Sequence, residues 1–293
     1  MCNSSSRWKT LHVYLVLIAL FPLTISCRDS SDSQAENTHL KVMSYNLRYG
    51  DSGLLVEEDS RKYPLAESIN EHKPDFLGVQ EANEAWIEVL ADLLPDYDFV
   101  GVGRDDGFAS GERAAIYYLR DKWAVLDSGD FWLSTTPEVP SYGWGANHRR
   151  ICTWAFFQNL VSGEVVAHFN THLDHESEEA RINGTRLILD RVAQPPYPVI
   201  FTGDLNFVEG SDLYQEIQIT SLSDSKFLAV LQLPYGTVNY FLPNIGDLGI
   251  VIDFVFVQPE YFDVSRYEVD YSRKIGGVAV SDHYPVIVDL ELK

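Results

Sequence analysis

The chain predicts an α/β fold of mixed layers, and three observations carry that prediction. Helix-period segments sit early and in the middle, among many strand-like runs, several of them adjacent and hairpin-like. Apolar strand patterns repeatedly end in polar functional groups: Asn46, Glu81, His172, and Asp204 with Asn206, while Asp253 starts another. From about Leu40 to Lys293 no second low-complexity linker and no solenoid-like repeat interrupts the chain, so one domain accounts for that stretch.

The elements follow in order. "LKVMSYNLRYG" begins as a strand and ends in a polar turn, and "SRKYPLAESINEHK" sets Leu65, Ala66 and Ile69 on one side of a helix. "PDFLGVQE" is a short apolar strand ending in an acid, followed by the helix "NEAWIEVLADLL". "YDFVGVGR" is again a strand and leads into the Gly/Asp-rich loop "DDGFASGE". Strand patterns recur at 114–119, 123–133, 151–160 and 165–170. A helix over 178–192 carries Ala180, Gly184, Leu187, Ile188 and Val192 at helical spacing. "YPVIFTGDLN" is a buried-type strand, and strands dominate again after Gly249. Ligands in layered α/β folds collect at strand ends, so the polar ends are expected to converge.

The first residues read as a targeting segment. Arg7 and Lys9 precede the apolar run "LHVYLVLIALFPL", which is shorter than the ~20 residues of a membrane span and matches a secretory core. Small residues then lead to Cys27 in "LTISC". We expect residues 1–26 to be a lipoprotein signal and Cys27 to carry the lipid; an ordinary signal peptide with an incidental Cys is the alternative. Residues 27–39 are polar and unpatterned, a tether, and residues 40–293 form the domain. After cleavage only Cys27 and Cys152 remain, so a lipidated Cys27 leaves no disulfide. The expected location is an exported, membrane-anchored one, and the expected state is a monomer.

Charge narrows the function. The chain holds 22 Lys+Arg against 43 Asp+Glu, a net charge of -21. Broad nucleic-acid affinity rests on Lys and Arg neutralising phosphates, so strong affinity of that kind is not expected, though a local positive pocket remains compatible. The absence of a Cys/His cluster argues against a structural zinc site.

Several residues ask for a chemical reason. Asn46, Glu81, Asp204 and Asn206 each have ordinary roles in turns or at helix N-termini. "FNTHLDH" sets His172, Asp174 and His175 in alternating register, which surface histidines also satisfy. Asp253 differs, because "VIDFVFV" puts an ionised carboxylate inside an apolar strand, where it is costly unless paired. His283, in "AVSDHYPVIVDLEL", is the candidate partner.

Taken in order, "SYNLR", "GVQE", "GERAAIYY", "NTHLDH", "GDLN", "IDFVFV" and "SDHYPV" resemble the endonuclease/exonuclease/phosphatase superfamily, across essentially the whole domain from Asn46 to His283. The resemblance implies the DNase-I-like fold, a four-layer α/β sandwich of two packed mixed β-sheets flanked by helices. It implies a hydrolase of phosphoester bonds that uses Mg²⁺, with Mn²⁺ able to substitute. Glu81 would be the principal metal carboxylate, with Asn46 close by and Asp282 completing the metal side. Asp204 and Asn206 would align or deprotonate the attacking water. His283, held by Asp253, would lie at the scissile phosphate, and His172 would contribute from the opposite side. Glu112 resembles the acid that pairs with that second histidine. Either Asp204 or His283 is the general base.

The physical logic runs alongside. Hydrolysis of an anionic ester requires neutralised charge and an oriented water, and Mg²⁺ needs only one or two carboxylates because it keeps several waters. A His–Asp pair fixes the imidazole tautomer and stabilises its cation.

Other residues bear on substrate. "SGDFWLSTTPEVPSYGWGANHRRICTW" supplies Tyr142, Trp144, His148, Arg149 and Arg150, aromatics for a sugar or base and Arg for phosphate, while Trp132 reads as core. Arg104, Asp105 and Asp106 precede Glu112 and are expected on the same cleft, and "GRDDG", "FWLS" and "RICTW" resemble a bacterial branch of hydrolases within the superfamily. Arg181 is either a helix-face ion-pair former or a phosphate contact. The substrate expected is a small phosphoester or phosphorylated glycan, the alternative being an extracellular nuclease acting on DNA or RNA. A non-catalytic binding lipoprotein on the same fold would leave these costly acids without a reason.

Overall fold

The computed structural model describes residues 39–49, 60–242 and 248–293. The expected signal at 1–26, Cys27 and all of the tether except His39 lie outside the described residues.

Two large sheets form the centre. The first runs β10 (Leu231–Leu233), β12 (Phe262–Val269), β13 (Val286–Leu292), β1 (His39–Asn46), β2 (Phe76–Gln80), β4 (Ile116–Leu119), β3 (Tyr97–Val100). The second runs β5 (Trp123–Trp132), β6 (Ile151–Asn159), β7 (Val165–His172), β8 (Val199–Asp204), β11 (Asp253–Val257), β9 (Ser223–Asp224). The pairs β1–β2, β10–β12 and β7–β8 are parallel, and the other neighbours in both sheets are antiparallel.

Alternating side chains give each sheet two buried faces. Val42, Phe76 and Ile116 of the first sheet meet Phe157, Val166 and Val255 of the second. Behind the first sheet, α1 (Lys62–His72) and α2 (Glu84–Leu93) bury Leu65, Ile69, Trp86 and Leu90 against Met43, Leu77 and Val79. Behind the second, α3 (Glu178–Val192) and α4 (Asp212–Gln218) bury Ile188, Val192, Leu213 and Ile217 against Phe169, Phe201 and Phe254. Helix, sheet, sheet, helix: the expected four layers are present. The span of α3 is set by local chemistry. Ser177 accepts from Ala180 N and acids occupy the first turn, both favourable at a helix N-terminus.

Near the site the sheets touch through polar groups. Gln80 Nε2 donates to Asn170 Oδ1 at 2.9 Å, and Thr202 Oγ1 donates to the same oxygen at 2.9 Å. Gly78 makes this approach possible, since a Cβ there would lie 2.4 Å from Thr202 Oγ1 and 2.6 Å from Asn170 Oδ1. Parallel pairing does the rest. Asn46 pairs with Gln80 and His172 with Asp204, so four strands deliver their polar ends to one edge of the sandwich. The fourth strand starts at Ile116, and the seventh runs on to His172 where its pattern suggested an end at Asn170.

Candidate active site

Asn46 organises the edge. Wholly buried, it donates through Nδ2 to Glu81 Oε1 at 3.1 Å and to Asp204 Oδ2 at 2.9 Å, while its Oδ1 accepts from Arg48 N. Glu81 follows β2 in the left-handed region, φ 60°, and its Oε2 accepts from Tyr49 N at 2.6 Å. Asp282 lines the same cleft as Glu81, with Oδ2 on Arg48 Nη1 at 2.9 Å. Its Oδ1 is buried and has no hydrogen-bond partner among the described residues. Burial raises its carboxyl and Glu81 adds to the rise, against the pull of His283 and Arg48. An orphaned carboxylate oxygen in a cleft that holds a second carboxylate fits a hard cation such as Mg²⁺.

Asp253 has the partner its burial demands. His283 Nδ1 lies 2.9 Å from Asp253 Oδ2 and 3.1 Å from Oδ1, and its Nε2 lies 3.6 Å from Asp204 Oδ2. Burial alone would lower the imidazole, but Asp253 and Asp204 outweigh it and hold it up at about 10. His172 reaches the same Asp204 oxygen from the other side, Nε2 at 3.5 Å. Burial, with the Arg150 and Arg104 cations, holds it well below the usual histidine range. Asp204 is pushed up to about 7, chiefly by burial and against the attraction of His283. Asn206, φ 50°, donates its N to Asp204 Oδ1.

A cleft of about 300 Å³ runs over these groups and includes Arg48, Arg104, Glu112, His148, Arg150 and His175 along its walls. Both Glu112 oxygens are taken by Arg104, at 2.6 and 3.1 Å, and Oε2 is 3.9 Å from His172 Nδ1, so the acid serves the arginine first. Arg150 is 4% exposed and is held by Asp174 and His175, with Nη1 unpartnered among the described residues.

Other expected substrate residues stand apart. Tyr142, Trp144 and Arg149 do not line the cleft; Arg149 lies 4.4 Å above the Tyr142 ring and pairs with Asp105. Neither does Arg181, which donates to Asp174 O and faces a neighbouring cavity that shares Asn206 with the cleft. Gly143, between Tyr142 and Trp144, packs directly on the Leu133 carbonyl, where a Cβ would lie 1.9 Å from the oxygen. Trp132 is core, as read. Two cleft residues carried no sequence signal of their own. Arg48 sits inside the quoted "SYNLR", but its Asp282 partner is 234 residues away. Tyr240, in "VNYFLP", belongs to no motif.

The order of motifs and this geometry agree with a family model, described as Endonuclease/Exonuclease/phosphatase family, that matches residues 43–283. The chain belongs to that family. An endonuclease/exonuclease/phosphatase family protein of Bacteroides thetaiotaomicron is 35% identical, with TM-score 0.81 over 87% of this chain and 98% of its own. A mannosyl-6-phosphatase of the same species is 36% identical, with TM-score 0.80 over 86% of this chain and 99% of its own. An uncharacterized protein of Acanthamoeba polyphaga mimivirus is 24% identical over 275 residues, 86% of this chain and all of its own length. The family is one of hydrolytic phosphoesterases.

Proposed function

We propose that this family member is a Mg²⁺-dependent phosphatase of sugar or other small phosphomonoesters. The observation that carries the reading is the cleft itself. Its volume of about 300 Å³ stands at the small end of the ~300–1,000 Å³ of small-molecule sites, and it sets three arginines and a charged imidazole among four acids, Glu81, Glu112, Asp204 and Asp282. The likeness to a mannosyl-6-phosphatase supports the sugar.

Glu81 and Asp282 would hold the cation, Asn46 orienting Glu81. The cation would neutralise phosphoryl charge and activate water. Asp204 and Asn206 orient the attacking water for in-line displacement, and Asp204 is the base. Its carboxyl is poised near neutrality, whereas His283 already holds both protons there. His283 donates to a phosphoryl oxygen where negative charge grows, as does His172 through a protonated ring nitrogen. Arg104 and Arg150 supply charge to the non-bridging oxygens, of which a monoester dianion has three.

The N-terminal pattern supports export and anchoring through lipid on Cys27; radiolabelled palmitate incorporation lost in Cys27→Ala tests that part. The function is tested by a panel of phosphomonoesters, phosphodiesters and DNA, each with EDTA and with Mg²⁺ restored. EDTA-insensitive turnover, or none on monoesters, would end the proposal.

A further inference from the structure

We infer that Tyr240 is the platform on which the substrate's sugar ring stacks, and so a specificity-determining residue; this rests on the sugar-phosphatase reading. Its backbone sets the residue apart. Tyr240 and Phe241 are consecutive non-glycine residues in the left-handed region, φ 52° and 58°. Side chains with a Cβ are strained there, and glycine or asparagine would relieve the strain. Tyr240 gains little from the fold in return, because it is 58% exposed. Strain kept at an exposed aromatic, on the lining of a reactive cleft, calls for a reason outside stability.

The surroundings hold the turn rigidly. Val238 bridges to His283, and Tyr284 N donates to Thr237 O at 2.6 Å. Asn239 N and Tyr240 N both donate to the Asp282 carbonyl, at 2.7 and 3.2 Å. Asn239 Nδ2 donates to Ser281 O, and its Oδ1 accepts from Phe241 N at 2.8 Å. The next ring, Phe241, has the Arg48 guanidinium 5.8 Å from its centroid, and that arginine is paired to Asp282. The tyrosine is thus registered, through two backbone hydrogen bonds, to the residue whose carboxylate would help hold the cation. A ring presented at fixed offset from a phosphate site matches a hexose phosphate, in which a short exocyclic link separates pyranose from phosphorus. The ring face takes the axial C–H groups of a pyranose, and the rest of the cleft is polar enough for its hydroxyls.

The test compares a hexose 6-phosphate with glycerol phosphate, which has no ring. In Tyr240→Ala and Tyr240→Gly the ratio of their kcat/KM values falls about tenfold, through KM, while Tyr240→Phe and Tyr240→Trp keep it within about twofold. The glycine variant separates ring loss from backbone strain, since glycine accepts this φ. An unchanged ratio in both small variants overturns the inference. Wild-type turnover of the two esters tests the parent reading separately. If neither turns over, saturation-transfer NMR of the free hexose on EDTA-treated protein still decides: a signal dependent on Tyr240 upholds the platform, and a missing or Tyr240-independent signal overturns it.

Discussion

Asp204 and Asp253 lie directly opposite each other across the antiparallel pair of β8 and β11, each 1% exposed. Like charges so placed repel, and neither can turn to solvent. His283 is bound to one and 3.6 Å from the other, so its cation makes the juxtaposition tolerable. Asp253 and His283 should therefore act as a unit. Asp253→Asn and His283→Gln are each expected to cost about 3–5 kcal/mol of transition-state stabilisation, and the double mutant little more than either alone. Steady-state kcat/KM on the four proteins checks this, and additive losses would break the pairing.

The same triad fixes a pH dependence of the metal-free protein. His283 is raised to about 10, so its contribution is fully present below the ordinary histidine value of ~6.5 and is lost as pH rises through about 10. Asp204, raised to about 7, favours the protonated fold and loses that share as pH rises through about 7. Both signs agree. With EDTA present, Tm should fall from about pH 7 toward pH 10, and His283→Gln should flatten the slope. A Tm that climbs over this window would mean that the imidazole is not held as a cation.

Much of this was legible in the chain because burial and periodicity are local properties. The helix over 178–192 shows in its spacing, and Asp253 declares itself by an acid amid apolar neighbours. The polar strand ends converge because parallel pairing puts them on one edge. What stayed hidden depends on chain path. No pattern reports the left-handed φ of Tyr240, or that Trp144 does not line the cleft. Composition alone made Tyr142 and Trp144 the obvious aromatics; the turn tied to Asp282 supplies a different one.

Glu81→Ala is expected to abolish Mg²⁺-dependent turnover, by at least about a hundredfold, while the domain stays folded. Its carboxylate is half-buried beside the orphaned oxygen of Asp282, where like charges gather without a cation. Removing one relieves repulsion, so circular dichroism and Tm should be close to wild type. Metal titration followed by calorimetry should show the lost site directly. Near-wild-type turnover would move the cation elsewhere.

Arg150→Lys should lower kcat/KM by about tenfold to a hundredfold while leaving the fold intact. The lysine keeps a charge against buried Asp174 but loses the planar fork that reaches His175 and leaves Nη1 free. Arg150→Met is the harsher case, because Asp174 would remain buried without its cation. Thermal melts separate the two effects: the methionine should lose stability and the lysine should lose mainly activity.

The substrate prediction sets the cleft against the charge of the whole chain. A net charge of -21 repels a polyanion, and duplex DNA presents one negative charge per ~1.7 Å along its axis. The Debye length of ~8 Å at physiological salt lets that repulsion act near the surface, over every phosphate that must approach. One phosphate group on a small sugar meets instead the local cations of the cleft, Arg48, Arg104, Arg150 and His283. Per phosphate, kcat/KM on a hexose 6-phosphate should exceed that on duplex DNA by about a hundredfold or more. Salt adds a sign. Raising ionic strength should leave or improve any residual DNA cleavage, because it screens repulsion, whereas a nuclease that grips phosphates with basic residues loses affinity as salt rises. Assays of both substrates from low to physiological salt measure the ratio and the slope together. Efficient duplex cleavage that falls steeply with salt would assign the cleft to a nuclease.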